Sequence, residues 1–181
     1  MVRDEEISED DRTTALGTVR FALEYFAAAI AAHERLEKSA PAGLTAMPVY
    51  SLAGQSVELS LKAFLRQQGE SLSALRAIRH DLVKALERAE AVGLIHRADR
   101  GQVERLNQEY SSHRFRYIRT GYVQLLEVQH LFPLVANLLY SSMIGIPGAW
   151  RFMWHTPGKI VADAGWMSPI EIKRASAPPH D

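Results

Sequence analysis

The chain contains no cysteine, which excludes a disulfide framework and any cysteine-ligated metal site and fits a reducing, cytoplasmic setting. It also has no net charge, because 21 basic residues balance 21 acidic ones. A strong global pull toward nucleic acid or acidic lipid is therefore absent, although a local patch can still exist. Runs of β-branched residues alternating with polar ones are missing, so a sheet has no candidate strands. A P-loop, a dinucleotide glycine signature, an H-E-x-x-H pair and a serine nucleophile elbow are missing too, and with them the chemistries those motifs support. Met1 to Asp11 is acidic and has no hydrophobic segment after a basic start, so it does not read as a secretory signal.

What the chain does have is enough apolar material for a core. It holds 181 residues, 47% of them apolar and 23% charged, and a chain of this size buries about 70% of its extended surface on folding. Leu131 to Trp150 carries no formal charge and is about long enough to span a membrane. Pro133, Asn137, Ser141, Ser142, Gly145, Pro147 and Gly148 interrupt it. A buried core helix followed by a loop is the expectation, with no membrane association.

Helical periodicity recurs along most of the chain. In Thr13 to Ser39, Val19, Leu23, Phe26, Ile30 and His33 lie on one face of a 3.6-residue period. Ala22, Ala27, Ala28, Ala29, Ala31 and Ala32 favour helix and permit close approach of a neighbour, and Pro41 and Gly43 end the segment. A second helix is expected over Pro48 to Gln68, with Leu52, Leu59, Leu61, Phe64 and Leu65 as its apolar content and Gly69 as its stop. Glu58 and Lys62 fall one turn apart in it, adjacent on the surface. Ser71 to Val92 fits either one continuous helix or a short turn before a helix starting near His80-Asp81, since Asp suits the positive end of a helix dipole. Gly93, covered by Leu94 and Ile95, reads as a stop. A fourth helix starts near Asp99, with Val103, Leu106, Tyr110 and Tyr117 along one side as far as Thr120-Gly121. A fifth runs from about Glu127 to Ser142, with Leu131, Val135, Leu138 and Leu139 inward and Pro133 in its first turn or at a kink.

The expected fold is therefore all-α, an antiparallel bundle of four to five helices with an irregular C-terminal extension. Residues 1–12 read as an acidic disordered N-terminus, 13–143 as the bundle and 144–181 as the extension and tail.

Seven histidines are scattered, and none pairs with another at helical spacing or with an acidic cluster, so no metal and no cofactor is expected. His33 continues an apolar stripe and reads as a core or rim residue bonded to a neighbour. At His80-Asp81 the aspartate reads as a helix cap, with the imidazole packed over the preceding turn. Tyr110 to Gly121 is the most informative run, because it interleaves His113, Arg114, Arg116 and Arg119 with Phe115, Tyr117 and Tyr122 just beyond. Guanidinium groups take phosphate in a fork geometry, and aromatic rings stack on bases. On a helix Tyr110, His113 and Tyr117 would share a face. The ligand-binding candidates are accordingly Tyr110, His113, Arg114, Arg116, Tyr117 and Arg119. The competing reading pairs these arginines with Glu104, Glu109 and Glu127 and places the tyrosines in the core.

The run Ser56-Val-Glu-Leu-Ser-Leu-Lys-Ala-Phe-Leu65, then Gly69, His80-Asp-Leu-Val-Lys-Ala-Leu86 and Gly93, resembles the HEPN superfamily, the higher eukaryote and prokaryote nucleotide-binding domain. In that family a helix bearing Glu and Lys one turn apart precedes a glycine turn and a His-Asp-Leu helix start. Glu58, Lys62, His80 and Asp81 occupy those positions here. The resemblance covers about Val19 to Ile95 and extends to Tyr140. It implies a dimeric bundle of four or five helices. It also implies either a metal-independent ribonuclease of toxin–antitoxin or phage-defence systems or an accessory, nucleotide-binding domain. Nuclease members carry an Arg followed four to six residues later by a His. No Arg from Arg97 to Arg119 has a His at that distance; His113 instead precedes Arg114, Arg116 and Arg119. The expected function is a non-catalytic domain, dimeric, binding a nucleotide, RNA or a protein partner. The alternative is a ribonuclease with a rearranged site in which His113 moves a proton and Arg116 or Arg119 meets the phosphorane.

Overall fold

The computed structural model describes residues 13–39, 47–112 and 125–155. Among these residues there are six α-helices and one 3₁₀ helix, with no strand. The α-helices are α1 (Ala15–Ser39), α2 (Met47–Gln67), α3 (Leu72–Ile78), α4 (Leu82–Ala91), α5 (Arg100–Tyr110) and α6 (Val128–Ile144). A 3₁₀ helix, Ala149–His155, follows where the sequence shows no period, and it packs against α1 and α6.

α1 buries the stripe read from its period: Val19, Leu23, Phe26 and Ile30 are inside, joined by Ala22 and Ala29. The small alanines let it lie along α2, and the Ser56 hydroxyl donates to the Ala22 carbonyl at 2.7 Å across the contact. His33 ends the stripe as a rim residue, 3.3 Å from Glu37 and edge-on to the Phe132 ring. Ala15–Lys38 is the one described helix long and apolar enough to cross a membrane, but the face formed by Val19, Phe26 and Ala29 is fully covered by protein.

α2 is touched by all five other α-helices. That enclosure explains why Ser56, Glu58 and Ser60 are buried beside Val57, Leu61 and Leu65. The Tyr50 hydroxyl donates to the Leu126 carbonyl just ahead of α6. Burial, and then the charge of Glu127, hold its phenol above the ordinary tyrosine range.

Between 71 and 92 the chain forms two helices. Ser71 caps α3, accepting from the Ala74 N–H at 3.2 Å. Asp81 caps α4, accepting from the Lys84 N–H at 3.0 Å. Arg79, between them, takes φ 58° and ψ −129°, a conformation that costs an L-residue free energy and breaks the helix. Gly93 (φ 95°) stops α4 as expected, with the Leu94 N–H reaching the Ala89 carbonyl at 2.9 Å. Leu94 is buried beneath the turn, whereas Ile95 stays exposed.

Asp99 caps α5, whose Val103, Leu106 and Tyr110 face the core. The helix ends at Tyr110, with Ser111 as its C-cap; the face expected to run on through His113 to Tyr117 lies outside the described residues. α6 starts after Glu127, and Pro133, its sixth residue, falls beyond the first turn. Leu131, Val135, Leu138 and Leu139 are buried as expected, and so are Phe132, Leu134 and Tyr140. It is the buried core helix that the interrupted apolar stretch suggested.

Candidate functional site at the edge of α2

Glu58 is the centre of a buried polar cluster formed with Lys62, His80 and Tyr110. Its position on the enclosed helix α2 leaves it only 4% exposed, contrary to the surface pair expected of Glu58 and Lys62. An isolated carboxylate at that depth would be very costly; here it is surrounded by donors. The Lys62 ammonium, one turn on, donates to Oε1 at 2.6 Å. His80 Nδ1 lies 2.9 Å from Oε2. The Tyr110 hydroxyl lies 2.6 Å from the same oxygen and 2.8 Å from Gln55 Oε1. A phenol holds one proton, and it goes to the charged acceptor at the shorter distance.

Burial alone would push the Glu58 carboxyl upward. Hydrogen bonds from Lys62, Tyr110 and His80, together with the Lys62 charge, outweigh it and hold the group below the ordinary carboxylate range. Glu58 is therefore an anion and accepts only, so His80 carries its proton on Nδ1 toward it. An imidazole oriented in this way presents Nε2 outward.

Each arm of the cluster is fixed by local structure. Lys62 also donates to the Arg79 carbonyl at 2.7 Å, so the strained residue between α3 and α4 is held by the same ammonium that pairs with Glu58. Tyr110 reaches inward because Gly54 offers no side chain; a Cβ there would stand 2.3 Å from the tyrosine Cδ2. Asn107, one turn before Tyr110, accepts the Leu82 N–H at 2.8 Å and donates to Asp81 at 3.1 Å. It thereby locks the start of α4, and with it His80, against α5. His80 packs edge-on against the Tyr110 ring.

His80 is the member of the cluster that faces outward, with 34% of its side chain exposed. It opens on a cleft of about 370 Å³ lined by Ala77, Ile78, Arg79, His80, Asp81, Lys84 and Ser111. Arg79 and Lys84 are exposed cations at its rim, and among the described residues neither side chain has an ion-pair or hydrogen-bond partner. Asp81 adds a carboxylate, but the Lys84 N–H and the Asn107 amide already occupy one of its oxygens. A second cleft, of about 460 Å³, lies beside Arg97, Gln102 and His130. Its buried Asn137 accepts the Arg97 N–H at 3.0 Å and so holds a backbone turn.

The four residues singled out by the family pattern thus come together. Glu58, Lys62 and His80 touch directly, and Asp81 sits beside them as the cap of α4. His80 does not simply pack over the preceding turn; its partner is on another helix. Tyr110 is present as a buried member. His113, Arg114, Arg116, Tyr117 and Arg119 lie outside the described residues. Gln55, Asn107, Arg79, Lys84 and Gly54 were not visible as site residues, because their parts depend on how α2, α4 and α5 meet. No group of three or more His, Asp or Glu side chains that could hold a metal ion occurs among the described residues. Compared with known proteins, the chain matches no family model, no curated protein and no solved structure.

Proposed function

We propose that the chain is a HEPN-like antiparallel helical bundle acting as a non-catalytic binding module for a phosphate-bearing ligand, a nucleotide or RNA. With α3 and α4 counted as one broken helix, its described α-helices number five, as that family would have. The observation that carries the reading is the cleft beside His80. Two cations, Arg79 and Lys84, flank an imidazole whose orientation is set from behind by a buried carboxylate. Cations converging on a recess attract and orient phosphate oxygens. Ser111 lines the same cleft, and in sequence the Arg114, Arg116 and Arg119 run begins three residues after it. A binding role needs no proton transfer, and Glu58, held ionised by its donors, is a poor base.

Titration with nucleotides and short single-stranded RNA tests this. The parent protein is expected to bind, and Arg79→Ala with Lys84→Ala is expected to weaken binding about tenfold or more, since hydrogen bonds to charged groups contribute about 1.5–3 kcal/mol each. Arg116→Ala with Arg119→Ala is expected to act in the same direction. Binding should weaken with added salt, and less steeply in the variants, because phosphate contacts release counterions. A parent protein that binds neither ligand at low salt, or a protein partner captured with no dependence on these cations, contradicts the reading.

The runner-up is a metal-independent ribonuclease, favoured by the Glu58–His80 pair at 2.9 Å. An imidazole held through Nδ1 is prepared to take a 2′-hydroxyl proton at Nε2 as the oxygen attacks phosphorus. The departing 5′-oxygen would then need a proton from a second group, for which His113 is the candidate. Cleavage of RNA in the presence of a chelator, abolished by His80→Asn and by His113→Ala, would establish it. Uncleaved RNA after long incubation supports the binding module.

A further inference from the structure

The second cleft, between the turn ahead of α5 and the start of α6, is built with its own supports. Its volume of about 460 Å³ is that of a small-molecule site. Three bonds fix the turn that forms one wall. The Arg97 N–H donates at 3.0 Å to Oδ1 of Asn137, a residue only 2% exposed. The Ala98 N–H donates to His96 Nδ1 at 3.1 Å. Because that nitrogen accepts, the His96 proton sits on Nε2, directed at Glu90 3.0 Å away. Asp99 Oδ1 accepts the Gln102 N–H at 2.9 Å. Two largely buried side chains, Asn137 and His96, thus hold the backbone of a turn whose Arg97 and Asp99 are themselves exposed.

The lining is balanced in charge. Among the described residues around this cleft, Arg97 is the permanent cation and Asp99 the carboxylate. The Arg97 guanidinium has no ion-pair or hydrogen-bond partner among the described residues. The opposite wall adds an acceptor. Pro133 supplies no N–H, so the Gln129 carbonyl one turn earlier lacks its usual helix partner, and both residues line the cleft. Ala98, Pro133 and Leu134 give the recess an apolar side. We propose that this cleft binds a free α-amino acid with an apolar side chain, in its zwitterionic form. The carboxylate takes the Arg97 fork. The ammonium goes to Asp99 and the Gln129 carbonyl, and the side chain rests on Pro133 and Leu134. A phosphate dianion would meet one carboxylate for one guanidinium here, whereas the cleft beside His80 sets two cations against one carboxylate. The inference goes beyond the phosphate reading and does not depend on it.

The test follows the backbone amide resonances of the full chain while L-leucine or L-phenylalanine is titrated in. Saturable shifts are expected at Arg97, Gln102, His130 and Leu134, with the Arg79 and Lys84 resonances unmoved. N-acetyl-leucine lacks the ammonium and leucinamide lacks the carboxylate. Each should bind about tenfold or more weakly, since hydrogen bonds to charged groups are the strong ones. Arg97→Gln, which keeps the backbone N–H that Asn137 accepts, should weaken leucine binding by a similar factor. So should Asp99→Asn, because asparagine caps a helix as well as aspartate does but carries no charge. Thermal melting checks that both variants stay as stable as the parent, so that a lost ligand is not a lost fold. Absence of any shift at tens of millimolar leucine overturns the proposal. Equal binding of N-acetyl-leucine, or inorganic phosphate moving the same amides, does so too.

Discussion

The ring of Tyr110 rests directly on the α-carbon of Gly54, so closely that a Cβ at position 54 would stand 2.3 Å from Cδ2 and 2.7 Å from Cε2. The contact lets a tyrosine on α5 reach the Glu58 carboxylate on α2. Gly54→Ala sets two effects against each other. Alanine in a helix interior gains roughly 0.5–1 kcal/mol over glycine, while forcing a methyl into a filled space costs about 1–3 kcal/mol. The ring cannot simply swing aside, because its hydroxyl is anchored at 2.6 Å. A net loss is expected in chemical denaturation, with a weakened near-ultraviolet tyrosine signal. A stabilised Gly54→Ala protein would show that the ring is free to move.

Glu58 carries the clearest pH signature. Its carboxyl is held below the ordinary value of 4.5 by its donors. A depressed folded-state pKa means that the ionised group contributes stability above the unfolded value and loses it as the pH falls through the folded one. Stability of the parent should therefore decline as pH drops below about 4.5. Glu58→Gln should remove that part of the decline. At neutral pH it should cost about 3–5 kcal/mol, since it leaves the largely buried Lys62 ammonium without its counter-charge. Equal acid limbs in the two proteins would contradict the assignment.

Leu82 and Leu86, the inward residues of α4, are fully buried. Truncating either to Ala should cost about 2–5 kcal/mol. A loss under half of the lower figure would mean that α4 does not face the core.

Arg79 offers a contrast between stability and binding. Its φ of 58° costs an L-residue about 1–3 kcal/mol, and its backbone carbonyl, not its side chain, serves Lys62. Arg79→Gly keeps that carbonyl and relieves the strain, at an entropic cost of roughly 0.5–1 kcal/mol. The melting temperature should hold or rise while affinity for nucleotide or RNA falls. A variant that melts lower would show that the guanidinium matters to the fold instead.

Much of the fold was legible because it is written locally. The α1 stripe, the Asp81 and Asp99 caps and the Gly93 stop each follow from residues within a turn or two of one another. Burial of Glu58 was not legible, because a Glu–Lys pair one turn apart looks the same on an exposed helix as on one enclosed by five others. The break at Arg79 was only one of two allowed readings, since no glycine marks it; Asn107, remote in sequence, locks it. The order Glu58, Lys62, His80, Asp81 did mark the residues that assemble, but not their arrangement around one carboxylate. Tyr110 was singled out for stacking on a ligand, whereas its ring is buried and its hydroxyl faces Glu58.

The most direct test of the binding reading is to follow the backbone amide and imidazole resonances of the 20.3 kDa chain while a short oligoribonucleotide or a nucleoside triphosphate is titrated in. Shifts are expected to cluster on Arg79, His80, Lys84 and Ser111 around the cleft, to saturate, and to diminish as salt is added. Spectra that do not change at millimolar ligand, or shifts confined to the Arg97 and His130 cleft, would contradict it.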